Sequence, residues 1–362
     1  MLYKLLSEVD QKRFTPVVIS LSDKGTIGPQ IEQLGIPVYT LGMRPGMPSP
    51  RVLCKLALLT RKIRPEIIQG WMYHGNVAAL YSGIFSKPSH VCWNIRHSLY
   101  SLTYEKKTTA LIIRLCGRLS KLPSKIIYNA RQSVVQHVRL GYQKETAVII
   151  PNGFNIDLFQ PDGDAAGNMR AELNIPAASI LIGLVARYHP MKDHENFLRA
   201  ASILVRDHPE THFVLAGKNV TNKNHDLLQL IETFGIAKNV HLLGERKDVP
   251  FISASFDIAT SSSYSEAFPN VVGEAMSCGV PCVVTDVGDS AWIVADTGKV
   301  VPPRDPQSLA DAWSELISMG GEKRRELGLK ARKRICDNFS LDVVTRKYET
   351  LYEQLAGQKG RN

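Results

Sequence analysis

Short β-branched runs that alternate with longer helical patterns, one break in that rhythm near residue 160, and a length of 362 residues predict an α/β protein of two doubly wound domains. In the first half the strand-like runs are PVVISL (16–21), PVYTL (37–41), EIIQG (66–70), HVCWNI (90–95), KIIYN (125–129) and AVII (147–150). In the second they are ILIGLVA (180–186), HFVLAG (212–217), NVHLL (239–243), FDIAT (256–260) and PCVVT (281–285). Helical patterns such as HENFLRAASILVRD (194–207) separate them, the order expected of right-handed crossovers between parallel strands buried on both faces. The break, PNGFNIDLFQPDGDAAGN (151–168), concentrates Pro, Gly, Asn and Asp, so the expected domains are 1–164 and 165–340. No repeat of 20 to 50 residues and no low-complexity tract suggests a solenoid.

Composition narrows the class. A hydrophobic share of 44% and a charged share of 22% suit a globular protein, and no window approaches the roughly 18 apolar residues of a membrane span. The opening segment, MLYKLLSEVDQKRF, carries Glu8 and Asp10 and lacks a signal-peptide layout, which places the chain in the cytoplasm. Six scattered cysteines without a C-x-x-C read as free, mostly buried thiols. The net charge of +10 is uneven: residues 1–160 hold 21 Lys and Arg against 8 Asp and Glu, and the rest of the chain is slightly acidic. A positive first half suits nucleic acid, anionic lipid or a phosphorylated substrate, and composition does not choose among them.

The stretch SEAFPNVVGE (265–274) sets Glu266 and Glu274 eight positions apart. Pro269 suits a first helical position, and Gly279 and Pro281 suit the stop, so a loop feeds a short helix here. Free amides from about Phe268 to Val272 would favour an anion at that helix start. A carboxylate beside a phosphate subsite should hold hydroxyls instead. Glu266 falls in the loop, Glu274 about a turn into the helix.

SEAFPNVVGEAMSCGVPCVVTDVG (265–288) resembles the family 4 retaining glycosyltransferases of group 1, which have the GT-B fold of two facing Rossmann-like domains with a cleft between them. VIIPNGFNIDLFQP (148–161), IGLVARYHPMKDHENFLRA (182–200), FVLAGK (213–218), VHLLGERKDVP (240–250) and GKVVPPRDPQSLADA (298–312) agree in order, so the resemblance covers essentially the whole second domain. It implies that Glu274 holds the ribose hydroxyls and Glu266 the donor sugar. Phe268, Pro269, Asn270 and Val271 would cradle the diphosphate, with Arg187 and Lys192 as the basic pair on it. Two features depart from the family: Ala267 stands where it usually has Gly, and GDSAW (288–292) replaces its commoner Gly-Gly pattern. Family members also normally begin with a strand and a Gly-rich turn. This sequence opens in what resembles the helix that follows, so the first strand is expected to be missing.

In the first half, IIQGWMYHGNVAAL (67–80) and VCWNIRHSLYSL (91–102) each follow a strand. Tyr73 and His74 mark the end of one strand, and Arg96 and His97 lie where the resemblance places a residue between donor and acceptor. An imidazole titrating near neutrality suits orienting or deprotonating an acceptor. Arg114, Arg118, Lys121 and Lys125 recur at steps of four, three and four, predicting one basic helical face opposed by Leu111, Leu115, Leu119 and Leu122. Packed on a sheet, such leucines make an ordinary crossover helix; the basic face is also a candidate contact for an anionic membrane. Leu341, Val344, Tyr348, Leu351, Tyr352 and Leu355 predict a closing helix in 341–362, which the resemblance has crossing back onto the first domain.

The function these readings imply is retaining transfer of a sugar from a nucleoside diphosphate, a UDP-sugar ahead of a GDP-sugar. The expected acceptor is a surface glycan or a polyprenyl-diphosphate-linked precursor, handled at the inner face of the membrane without nucleic acid. No cofactor or metal is expected; the one D-x-D, Asp162-Gly163-Asp164, falls in the linker. The alternatives are a nucleotide-sugar epimerase or hydrolase on the same fold, and an inactive nucleotide-sugar binder.

Overall fold

The computed structural model describes residues 1–44, 49–99 and 101–357, with Tyr104 described by its backbone alone. The chain divides into two compact units, Met1–Gly153 with Leu341–Asn362, and Phe154–Ser340.

In the first unit the elements run α1 (Leu2–Glu8), β1 (Val18–Ser20), α2 (Gly28–Gln33), β2 (Val38–Thr40), α3 (Pro50–Ile63), β3 (Ile67–Trp71), α4 (Met72–Ser86), β4 (His90–Ile95), α5 (Lys107–Leu119), β5 (Lys125–Tyr128), α6 (Arg131–Arg139) and β6 (Ala147–Ile149). The second holds α7 (Ala165–Glu172), β7 (Ile180–Val185), α8 (His194–Leu204), β8 (Thr211–Ala216), α9 (His225–Thr233), β9 (Val240–Gly244), α10 (Val249–Ala254), β10 (Ile258–Ser261), α11 (Asn270–Ser277), β11 (Cys282–Thr285), α12 (Ser290–Val294), β12 (Lys299–Val301), α13 (Pro306–Ser318) and α14 (Gly321–Phe339). The last helix, α15 (Leu341–Gly357), returns to the first unit.

Among the described residues every strand pair is parallel. The second unit has one sheet in the order β12-β11-β10-β7-β8-β9. Its order reverses between β7 and β10, and in an open parallel sheet a ligand crevice forms at the carboxyl ends of the strands flanking such a switch. Among its described residues the first unit has two sheets, β1-β2 and β3-β4-β5-β6. Each strand-like run of the sequence contains a strand, trimmed or shifted by a residue or two; β12 is additional.

Continuous apolar strands are buried because helices cover both faces. In the second unit Phe197 of α8, Phe213 of β8 and Trp313 of α13 pack ring against ring at 5.1 to 5.8 Å, and the Trp313 indole donates to Thr260 Oγ1 at 3.0 Å. In the first, α15 lays Val344, Tyr348, Leu351 and Leu355 against Leu5, Cys92, Ile127 and Ile150. Buried Glu349 of α15 accepts from the Asp10 amide at 2.9 Å and from Arg13 at 3.3 Å. The predicted packing stripe of the closing helix is thus present; residues 358–362 lie outside the described residues.

The boundary differs from the expected 164/165 and falls at 153/154. Residues 154–164 are irregular enough to read as a hinge, yet they pack on the second unit. The Phe154 ring fills the space beside Gly273, where an added Cβ would lie 2.1 Å from it, and the Phe154 amide donates to Phe339 O at 2.9 Å. Arg332 donates to Phe159 O and Ile156 O. Asp162 Oδ1 accepts from the amides of Asp164 and Ala165, a turn that starts α7.

Candidate functional site

Both loops that flank the β7/β10 switch carry the residues singled out in the sequence. After β7 the chain runs through exposed Arg187 into a single 3-10 turn, Pro190–Lys192. After β10 it runs through Ser262, Ser263 and Glu266 into α11. The two loops are tied together: Tyr264 N donates to Met191 O at 3.1 Å, and Ser262 Oγ to Lys192 O at 2.9 Å. Their tips meet where Lys192 Nζ pairs with Glu266 Oε1, which also accepts from Ser263 Oγ at 2.8 Å. Lys192 is 24% and Glu266 13% exposed, so the pair is reachable but poorly screened. Arg187 shares this field: the pKa of His189, between the two cations, is lowered first by burial and then by Arg187 and Lys192.

The loop before α11 is shaped from behind. Phe268 is buried, near parallel to Phe154 at 6.0 Å and packed on Trp292 and Phe339. Its side chain belongs to the core. Pro269 is the N-cap of α11 and not its first helical residue; lacking an amide hydrogen, it can contribute shape but no donor. Asn270 and Val271 open the helix, with Asn270 exposed, and Glu274 lies partly exposed one turn on. The GDSAW segment supports the same loop: Gly288 adopts φ +57°, a Cβ there would lie 2.5 Å from Glu266 O, and Asp289 N donates to Ala267 O at 2.9 Å. A cavity of about 510 Å³ lies beside the Lys192 turn, lined by Tyr188, Asp193, His194, Asn196, Tyr264 and Arg304. Neither Lys192 nor Glu266 lines it.

In the first unit β3 passes directly into α4 at Met72, which is held at φ +62°. Gly70 permits this tight junction, since a Cβ there would sit 2.5 Å from Asn76 Cα. Tyr73 and His74 therefore belong to the first turn of α4 and do not mark a strand end. Tyr73 is buried; His74 is partly exposed. The two neighbours after β4 have different surroundings. Arg96 turns inward: Nη1 donates to Tyr348 Oη at 3.0 Å, Nη2 bonds Asn152 Oδ1, and the guanidinium lies 5.6 Å from the Trp71 ring centre. Nothing in that set leaves it aimed at an acceptor. His97 is 36% exposed, with Nδ1 3.4 Å from Tyr73 Oη and Nε2 3.5 Å from Glu105 Oε1. Burial lowers its pKa below the ordinary 6.5, and Glu105 opposes that shift.

The basic face is rearranged. Helix α5 ends at Leu119, Lys121 follows its C-cap, and Lys125 opens β5, so only Arg114 and Arg118 share the helix. Ile113, Cys116 and Gly117 face the core, whereas Leu111, Leu115 and Leu122 are 68, 41 and 64% exposed. Of the four leucines expected to pack on the sheet, Leu119 does so, and the other three lie outward among the basic residues; Cys116 and Gly117 take the inner face, close to the Tyr142 ring and Leu140 O.

Sequence reasoning missed Ser263, Glu105 and His137. Ser263 had a signal, its place in a small polar run before Glu266. His137 had none, since a histidine in an ordinary amphipathic helix is unremarkable until folding sets its ring 2.9 Å from the Tyr73 hydroxyl.

Residues 166–334 match the family described as glycosyl transferases group 1. The chain is 33% identical over 250 residues to the D-inositol 3-phosphate glycosyltransferase of Corynebacterium jeikeium (strain K411), covering 65% of this chain and 59% of that protein. It is 30% identical over 191 residues to the putative glycosyltransferase EpsF of Bacillus subtilis (strain 168), covering 51% of this chain and 48% of that one. It thus spans roughly half of the curated relatives it matches. In fold it is similar to Anabaena Alr3699/HepE in complex with UDP and glucose, with a TM-score of 0.81 at 21% identity over 98% of this chain and 95% of that one. The sucrose-phosphate synthase (tll1590) from Thermosynechococcus elongatus gives 0.72 at 20% identity, over 94% and 98%. The chain has the GT-B fold, and the greater part of its second unit matches the group 1 glycosyl transferases.

Proposed function

We propose that the chain is a retaining glycosyltransferase of the family 4 type. It moves a hexose-type sugar from a nucleoside diphosphate, a UDP-sugar ahead of a GDP-sugar, onto a glycan or polyprenyl-diphosphate-linked acceptor of a cell-surface polysaccharide. The observation that carries this reading is the Lys192–Glu266 pair at the switch point, held by Ser263 next to the start of α11. A cation, a carboxylate and helix amides in one loop system complement a sugar joined to a diphosphate. As the glycosyl bond breaks, charge grows on the leaving diphosphate, where Arg187, Lys192 and the amides of Phe268, Asn270 and Val271 stabilise it more than in the ground state. Glu266, released as the incoming phosphate takes Lys192, orients sugar hydroxyls; Glu274 takes the ribose. The acceptor hydroxyl attacks from the face the diphosphate leaves, which keeps the configuration. With two side-chain cations on the phosphates, transfer needs no metal. HepE, solved with UDP and with UDP-glucose, supports the donor class.

His97 is the acceptor-side residue in this reading. The exposed Leu111, Leu115 and Leu122 among Arg114, Arg118 and Lys121 would rest on anionic lipid, keeping the protein at the inner membrane face. Among the described residues no helix is long and apolar enough to cross a membrane.

Calorimetric titration with UDP, GDP and ADP tests the donor site. One nucleotide, UDP by this reading, is expected to bind, with affinity falling about tenfold in Glu274→Ala as its ribose hydrogen bonds are lost. Failure of all three to bind would sink the assignment. Sugar turnover without an acceptor would point to an epimerase or hydrolase, and binding without turnover to a binder alone.

A further inference from the structure

We propose that Tyr73 and His137 are positioning residues that hold His97 with its proton on Nδ1, so that Nε2 is the nitrogen presented to an acceptor hydroxyl. The inference rests on the reading of His97 as the acceptor-side residue, and deepens it.

The chain of bonds through Ser133, His137 and Tyr73 favours one arrangement. His137 Nδ1 lies 2.7 Å from Ser133 O, and a carbonyl only accepts, so Nδ1 carries the proton. Burial lowers the His137 pKa to about 4, so the ring is neutral near pH 7 and its Nε2 is a bare acceptor. Tyr73 Oη, 2.9 Å from that nitrogen, must donate its only hydrogen there. Burial raises the Tyr73 pKa, so the phenol keeps that hydrogen. Only lone pairs remain on Oη for His97 Nδ1, 3.4 Å away, so a hydrogen bond between them requires the imidazole to donate; a proton on Nε2, toward Glu105, is the competing tautomer. The contact is long, but the ring is also fixed through its backbone: Ser133 Oγ donates to His97 O at 3.0 Å, and Gln136 Oε1 accepts from Ser98 Oγ and Leu99 N at 2.8 Å. One turn of α6 thus sets both the tautomer and the loop.

Glu105, before α5, reaches the His97 Nε2 at 3.5 Å, and Tyr128 of β5, Cys116 of α5 and Tyr142 flank the neutral Tyr73–His137 pair. Glu105 completes an ion pair only when His97 is protonated. Acid therefore closes Nε2 to a hydroxyl and alkali opens it.

The test is nitrogen-15 NMR of the histidine-labelled full chain, with the His97 signals identified by their loss in His97→Gln. Above the His97 pKa, Nδ1 should be protonated and Nε2 bare. Tyr73→Phe, which removes one oxygen, should shift the ring toward the opposite tautomer. It should also lower kcat about tenfold, the loss expected of one orienting hydrogen bond, with donor KM unchanged. A proton on Nε2 in the native protein, or an unchanged tautomer in Tyr73→Phe, overturns the proposal. The tautomer is read without turnover, so it can hold even if the chain transfers no sugar, an outcome that would sink only the functional reading. If Tyr73→Phe does not fold, His137→Gln is scored by the same spectrum.

Discussion

The two units solve the same task, setting polar side chains at the end of a parallel sheet, by different means. In the second, chain order does most of it: the β7 and β10 loops flank the switch point, and residues a few positions apart, Ser263, Glu266 and Asn270, share one loop and helix start. In the first, His97 has its place through α4, α6 and the segment before α5, elements separated by tens of residues. A local site can be written in a motif; an assembled one cannot.

That contrast predicts unequal losses. Lys192→Ala should lower kcat about a thousandfold, because it removes charge complementary to the leaving diphosphate. His97→Gln should lower it about ten- to a hundredfold, since orientation and partial proton withdrawal are all it forfeits. Steady-state kinetics with the nucleotide sugar that calorimetry selects measures both, and losses in the reverse order would break the comparison.

Acid should weaken both units alike. Burial lowers His137 in the first and His194 in the second to about 4, against an ordinary 6.5. The unfolded chain therefore takes up these protons first, and stability present in full above 6.5 is lost as pH falls toward 4. At pH 5 the loss should be about 2 kcal/mol for each histidine. Urea unfolding at pH 7.5 and pH 5 reads it, and an unchanged midpoint would mean that both rings are protonated at little cost while folded.

The smallest effect concerns the surface of α5. Reversing Arg114 and Arg118 to Glu should weaken binding to vesicles containing phosphatidylserine by at least tenfold, at about 1 kcal/mol per basic residue, and leave binding to neutral vesicles unchanged. Equal binding by the native and reversed proteins would remove the membrane from the proposal.

How much was legible follows from where each signal resides. Short β-branched runs located the strands other than β12, where only Val300 and Val301 stand between Lys299 and Pro302, too short an apolar run to register. The sequence by itself determined the α/β class, the parallel crossovers and the spacing of Glu266 and Glu274, because these depend on steric preferences and helix starts within a few residues. Only the tertiary structure decided that Arg96 turns inward to Tyr348, that Leu111 and Leu115 of α5 face outward, and that residues 154–164 pack with the second unit. Which face of a helix is buried depends on the volume its partner leaves, and a hydrogen bond between residues 64 positions apart depends on the whole chain having closed around it.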